Sequence, residues 1–129
     1  MAEWDDVRRI AMGLPSVVES IKGEGTLEWR VKDKLFAWER PLRKADLAAL
    51  GDDAPTGPVL AVRVADVGVQ EACVADDPAV YFTTPHFAGY PAVLVRLAEI
   101  GVPELDELIT EAWLDRAGKR LAARYLAER

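Results

Sequence analysis

The chain contains one histidine and one cysteine, and any nucleophilic centre that uses either would depend on those two side chains. Nucleophilic catalysis places the nucleophile beside a base such as histidine, with a third group that orients the base. Cys73 falls on an apolar face of a predicted helix, which favours a buried and unreactive thiol, although a Cys73–His86 dyad stays open as an alternative. We therefore predict no catalytic residue and a protein that is not an enzyme.

The sequence also contains few candidate residues for binding a metal ion or a phosphate group. Structural zinc sites take three or four Cys, His or carboxylate ligands, often in paired spacings, and the chain has neither a cysteine pair nor a second histidine. The acidic pairs Asp52-Asp53 and Asp76-Asp77 are the remaining carboxylate option, and both are more typical of turns. No glycine-rich phosphate loop follows a strand and opens a helix. We predict no metal and no cofactor.

The segment around His86 is the first candidate for contact with a ligand or partner. It joins two predicted strands, and Gly89 allows it to turn tightly. Loops that are held on rigid strands often carry binding residues. In one interpretation His86 hydrogen-bonds its own loop while Phe87 and Tyr90 anchor the core. In the other, His86 and Tyr90 are the polar groups of a site, and Phe87 and Trp38 form its apolar wall.

A basic hairpin is the second candidate surface. Residues 28–44 carry a net charge of +3, although the chain as a whole carries −6. Side chains alternate across a strand, so Arg30 and Lys32 are expected on the face opposite Trp29 and Val31. Cations beside aromatic side chains are typical of a wing or a single-strand platform for nucleic acid. The six phosphate-contact candidates are Arg30, Lys32, Lys34, Arg40, Arg43 and Lys44.

Charge is unevenly distributed along the rest of the chain. Residues 46–78 carry a net −6, residues 104–115 add five acids, and residues 116–129 carry a net +4. The simplest interpretation of these stretches of like charge is that they form surfaces exposed to solvent. The overall acidity opposes strong non-specific binding to DNA, because an acidic surface is repelled by a phosphate backbone.

Hydrophobic periodicity predicts the elements that position these residues. We expect the first helix over about residues 3–13, a hairpin of strands over 27–32 and 35–39, and a short helical patch over 45–50. A third strand over 59–64 and a helix over 66–75 follow. Two further strands, over 79–84 and 92–97, precede C-terminal helices that break near Gly118. Tight turns favour antiparallel pairing. The predicted fold is an α+β two-layer sandwich, a five-stranded mainly antiparallel sheet with helices on one face (α-β3-α-β2-α).

Length and composition predict one domain over residues 1–129 in a reducing, cytoplasmic compartment. Half of the residues are hydrophobic, which is enough for a core without disulfides. A single cysteine, an acidic N-terminus and short apolar runs predict neither a secretory signal nor a membrane span. Monomer and homodimer both stay open.

The order of elements, together with several short motifs, resembles the MmcQ/YjbR-like family. The matching pieces are Leu14-Pro15 with Glu19 shortly after, the hairpin segment 31–37, the segment 84–90 and Glu111-Ala112-Trp113. The resemblance implies a five-stranded antiparallel sheet backed by helices, similar to the type III secretion chaperone-like fold. Members are commonly labelled as DNA-binding, with paired hairpins acting as wings.

Two hypotheses follow from the residues and the resemblance together. The first is a non-enzymatic binding module whose partner, as the resemblance implies, is DNA. The alternative is a domain that binds a small molecule or a protein through the loop from His86 to Tyr90, with no nucleic acid.

Overall fold

Helices and strands follow one another along the whole chain in a computed structural model, which describes residues 1–23 and 25–128. The helices are α1 Trp4–Met12, α2 Lys44–Leu50, α3 Val67–Asp76, α4 Val102–Arg116 and α5 Lys119–Ala127. The strands are β1 Val17–Lys22, β2 Thr26–Val31, β3 Lys34–Glu39, β4 Val59–Arg63, β5 Tyr81–Phe82 and β6 Ala92–Arg96. Arg129, which ends the predicted C-terminal basic cluster, lies outside the described residues.

The strands form one antiparallel sheet in the order β1-β2-β3-β4-β6-β5. The predicted count of five strands is therefore wrong, because the described residues form a sheet of six strands. The additional strand is β1, an edge strand that pairs with β2 from Val17 opposite Val31 to Lys22 opposite Thr26. The strand predicted over 79–84 is reduced to the two residues of β5.

The larger core lies between one face of the sheet and helices α1 and α4. Trp29 and Val31 project from β2 into this core, and Trp113 of α4 is fully buried in it. The indole Nε1 of Trp113 donates a hydrogen bond to the backbone oxygen of Pro15 at 3.0 Å, so its one polar atom is satisfied. Truncation of a buried tryptophan typically costs about 3–5 kcal/mol, so these residues hold the helices on the sheet.

A smaller core covers part of the opposite face of the sheet. Central strands β4 and β6 are apolar on both sides, so Val59 and Ala61 point into this second core while Leu60 and Val62 point into the first. Phe87 and the region of α2 cover this second face. The prediction of helices on one face is therefore incomplete, because strands that are apolar on both faces require cover on both.

Turn residues fix the loops that lead into the site. The Asp66 carboxylate caps α3 by accepting a hydrogen bond from the backbone N–H of Val69 at 3.0 Å. Gly118 has φ +85° and separates α4 from α5, at the predicted break.

Among the described residues, no helix combines the length and the apolar character that crossing a bilayer requires.

Candidate functional site

A groove opens where the second face of the sheet loses its cover. Its floor is the outer side of β2 and β3, and its walls are residues 41–43 and 86–90. We call it the hairpin groove. It encloses about 670 Å³, within the range of about 300–1,000 Å³ that is usual for small-molecule sites. It brings together both surfaces that the sequence singled out, the first hairpin and the loop around His86.

Aromatic side chains form one wall of the hairpin groove. The ring centroids of Trp38 and Phe87 are 6.4 Å apart, and those of Phe87 and Tyr90 are 6.1 Å apart. His86 lies edge-on to Phe87 with ring centroids at 5.0 Å. Phe87 is buried, whereas His86 and Tyr90 are exposed. Phe87 therefore anchors the smaller core, as the first interpretation predicts, whereas Tyr90 is exposed and lines the groove together with His86.

The loop from Pro85 to Pro91 is held from below by Gln70, a residue that sequence reasoning missed. The buried amide of Gln70 donates to the backbone oxygens of Phe87, Tyr90 and Ala92 at 3.1, 3.0 and 2.6 Å. One amide group carries only two hydrogens, so the three acceptors share them. A polar residue on the otherwise apolar side of a predicted helix was the available sign of this role.

Two of the six predicted phosphate contacts form ion pairs with carboxylates of the protein. Arg30 Nη1 lies 2.7 Å from Glu28 Oε1, and the Arg30 side chain keeps 36% of its surface exposed. Arg40 is buried and its Nη2 donates to Asp46 Oδ2 at 3.2 Å, while its Cζ lies 5.3 Å from the Phe87 ring centroid. Both carboxylates are buried. The Arg40 guanidinium is buried with its partner and is poorly available for an external phosphate, whereas the Arg30 guanidinium is only partly engaged by Glu28.

The other four predicted contacts are exposed, and Arg43 is the one of these four that lines the hairpin groove. Lys32 and Lys34 lie at the β2–β3 turn, and Arg43 and Lys44 lie at the start of α2. None of the four forms an ion pair with another described residue. The prediction that Lys32 continues the strand face of Arg30 is wrong, since β2 ends at Val31 and Lys32 has φ +53° in the turn.

Two carboxylates also line the hairpin groove, and both have partners. Glu28 is buried and lies between Arg30 and Lys22, whose Nζ is 3.9 Å from Glu28 Oε2. The Glu39 carboxylate accepts a hydrogen bond from the backbone N–H of Leu27 at 3.1 Å. Because these acids are already engaged, the groups left to meet a ligand in this groove are mainly cationic or aromatic.

Cys73 and His86 line different grooves. Cys73 is half-buried on α3 and lines a groove between α3 and α4. Burial, followed by the carboxylates of Asp76 and Glu104, raises the pKa of its thiol, as expected for an unreactive cysteine. The described part of the chain contains no cluster of three or more His, Cys, Asp or Glu side chains arranged to hold a metal ion.

Two sets of known proteins are similar to this chain. "Uncharacterized protein Rv2570" of Mycobacterium tuberculosis and "Uncharacterized protein Mb2600" of Mycobacterium bovis are each 58% identical to it over 130 residues, with 98% of both chains covered. The crystal structure of Deinococcus radiodurans protein DR2400, which carries the domain DUF419, superposes with a TM-score of 0.69. That match covers 98% of this chain and 89% of the other at 20% identity, so it supports the fold alone.

The family resemblance inferred from the motifs is confirmed independently of the fold. A model of the YjbR family matches residues 12–114, which is most of the chain. The matched range includes the whole hairpin groove and both elements that line its floor. This chain belongs to the YjbR family.

Proposed function

We propose that this protein is a non-enzymatic binding module whose ligand is a small organic anion with a flat apolar part, held in the hairpin groove. One observation carries the proposal: Trp38, Phe87 and Tyr90 converge with Arg43 and His86 on a single groove of about 670 Å³. Ligand sites typically combine apolar and aromatic walls with a few polar groups that fix orientation. The groove has this composition.

The charge around the groove supports an anionic ligand. Arg43 and His86 are exposed, and neither belongs to an ion pair among the described residues. The groove carboxylates Glu28 and Glu39 already accept hydrogen bonds from protein donors. An arginine side chain suits carboxylate and phosphate groups because its planar fork can donate two parallel hydrogen bonds.

The surroundings of His86 support binding rather than catalysis. A catalytic histidine is usually oriented by a hydrogen bond to a carboxylate or a carbonyl group. Within the described residues the His86 ring makes an edge contact with Phe87 and no hydrogen bond to a carboxylate. A ring held in this way suits contact with a ligand.

Isothermal titration calorimetry provides the test. We would titrate the protein with adenosine monophosphate, indole-3-acetate and inorganic phosphate, and follow the heat of binding. At least one of the two flat anions should bind, and phosphate alone should bind more weakly because it lacks an apolar part. Arg43→Ala and His86→Ala should each weaken binding about tenfold, the equivalent of one lost charge-assisted hydrogen bond.

The variants need a control for folding and charge. Lys119→Ala removes an exposed cation from α5, which contributes nothing to the hairpin groove, and it should leave affinity unchanged. All three variants should keep the melting temperature of the parent, since the substituted residues are exposed. Equal affinity of the parent, Arg43→Ala and His86→Ala for every ligand, or no binding of either flat anion, would reject the proposal.

DNA is the second candidate, and one observation favours it. Lys32, Lys34, Arg43 and Lys44 are exposed, and Arg43 lines the groove that also presents Trp38. If single-stranded DNA crosses this groove with four phosphate contacts, the logarithm of affinity should fall with the logarithm of salt concentration at a slope of about −3. Lys32→Ala/Lys34→Ala should reduce that slope to about −1.5. A slope near zero, or no binding at low salt, excludes this candidate.

A further inference from the structure

A second groove lies between α3 and α4, and Arg63 at its edge donates a hydrogen bond at 3.1 Å to the hydroxyl of Tyr90 in the hairpin groove. The second groove encloses about 1110 Å³. On α4 its wall carries four carboxylates spaced three or four residues apart, so they share one face of the helix. These are Glu104, Glu107, Glu111 and Asp115. We call this feature the acidic groove.

Apolar side chains lie between the acidic edges. Val69 and Ala72 of α3 are exposed, and Val69 keeps 39% of its surface in contact with solvent. Leu108 of α4 and Cys73 of α3 are half-buried and line the same groove. A metal ion would gain nothing from this apolar strip, whereas a protein segment with an apolar side would bury it.

The carboxylates of the acidic groove have few partners inside the protein: Asp66 accepts a hydrogen bond from the backbone N–H of Val69, and Glu104 accepts one from the Tyr81 hydroxyl. Asp66, Asp76 and Asp77 add to the four acids of α4, and among the described residues Arg63 is the only lysine or arginine that lines the groove. No ion pair between described residues involves any of these seven carboxylates. Burial, with Asp66 nearby, raises the pKa of Asp115. Like charges four residues apart on a helix destabilise it, so an incoming cation would relieve repulsion already present.

We propose that the acidic groove docks a lysine- and arginine-rich amphipathic helix of a partner protein. The helix lies between α3 and α4, with its apolar side on Val69, Ala72 and Leu108 and its cations on the carboxylates. The stretch from Glu104 to Asp115 spans about 17 Å of α4, so a docked helix of about three turns matches it. Recognition of an amphipathic helix by an apolar groove with charged edges is a common mode of peptide binding.

The chain's own basic helix is not the occupant. Helix α5 carries Lys119, Arg120 and Arg124, but its apolar residues Leu121 and Tyr125 pack against the larger core, where Tyr125 contacts the Trp113 ring at 5.0 Å. A second copy could offer α5 only after removing it from its own core.

Nucleic acid is excluded by charge, since it would meet seven carboxylates.

The test uses three synthetic peptides of fourteen residues, each with a fluorescent label. The first places leucines on one helical face and lysines on the other, the second scrambles the same composition, and the third replaces lysine by glutamate. Fluorescence anisotropy with the full chain should show binding of the first peptide, with affinity for the scrambled one lower by about tenfold and no binding of the acidic one.

Two double variants locate the site. Glu107→Gln/Glu111→Gln should lower the affinity for the first peptide by about tenfold, because two ion pairs are lost. Glu71→Gln/Glu99→Gln removes the same charge from exposed positions outside the groove and should change affinity less than about twofold. Val69→Ser should also weaken binding without changing charge, and the melting temperature of each variant checks folding.

Three results would overturn the docking proposal. These are equal affinity for the amphipathic and scrambled peptides, equal effects of the two double variants, and no binding of the amphipathic peptide at low salt. Arg43→Ala and His86→Ala should leave peptide binding unchanged. Failure of the peptide test would therefore leave the ligand proposal for the hairpin groove untouched. Failure of the ligand test would likewise leave the docking proposal for the acidic groove untouched.

Discussion

Arg40 and Asp46 form a buried ion pair that joins the end of β3 to α2. Arg40 Nη2 lies 3.2 Å from Asp46 Oδ2, and the two side chains keep only 10% and 5% of their surface exposed. The same carboxylate oxygen accepts the backbone N–H of Arg43 at 2.9 Å, at the start of α2. The pair therefore fixes the segment that walls one end of the hairpin groove.

Removal of the carboxylate should destabilise the protein strongly. Asp46→Ala leaves the Arg40 guanidinium buried without its counter-charge and removes an acceptor at the start of α2, so the free energy of unfolding should fall by about 3 kcal/mol. Urea denaturation followed by circular dichroism measures the change. Asp52→Ala, at an exposed acid just after α2, is the control and should stay within about 0.5 kcal/mol. An equal and small fall in the free energy of unfolding of both variants would contradict the structural role of the pair.

Glu19 should contribute a pH-dependent part of stability. Arg8 donates two hydrogen bonds to its carboxylate at 2.9 and 3.0 Å, and Trp29 Nε1 donates a third at 3.0 Å. The hydrogen bond from Arg8 is the largest cause of a pKa lowered below the ordinary value of 4.5. A carboxyl whose pKa is lowered by folding stabilises the protein above its unfolded pKa, and that stability is lost as pH falls through the folded value.

Glu19→Gln should therefore be less stable than the parent at neutral pH, and the difference should shrink as pH falls below about 4.5. Denaturation midpoints at a series of pH values measure it. Glu99→Gln, at an exposed acid without an ion pair among the described residues, should show no such trend. A parent–variant difference that is independent of pH would show that the carboxylate charge is not responsible.

Gln70 should control the shape of the hairpin groove. Gln70→Glu keeps the size of the side chain but cannot donate hydrogen bonds when ionised, which leaves the carbonyl groups of Phe87, Tyr90 and Ala92 without their donor. The free energy of unfolding should fall by about 2 kcal/mol. Amide hydrogen exchange should rise in residues 86–90, while exchange in α1 stays unchanged. Glu71→Gln, at the next position on α3 and exposed, is the matched control.

The β2–β3 turn stores backbone strain that substitution should release. Lys32 and Asp33 have φ of +53° and +64°, and Val31 pairs with Lys34 across them. Two consecutive residues with positive φ define a type I′ turn, which favours Asn-Gly. Lys32→Asn/Asp33→Gly should raise the free energy of unfolding by about 1 kcal/mol. Lys34→Asn, the same change just outside the turn, should give no gain, and equal stabilisation by both would refute the strain argument.

Prediction from sequence succeeded where one local pattern decides the structure. The break at Gly118, the hairpin around Asp33 and the helical patch of α2 follow from glycine conformation, alternation and spacing, and each is present. Strand β1 was missed because its inward side carries Glu19 rather than an apolar residue. That carboxylate is satisfied by Arg8 of α1 and by Trp29 of β2, which are contacts that periodicity does not contain.

The sequence by itself determined the chemical inventory of this protein: its family, its α+β class, its acidic balance, one cysteine, one histidine and the residues worth testing. Tertiary structure decided which of those residues act together. It paired Arg30 and Arg40 with carboxylates, left Arg43 exposed, and set the loop around His86 beside the hairpin in one groove. The reason is physical: local conformation depends on neighbours along the chain, whereas burial and charge pairing depend on residues that only folding brings into contact.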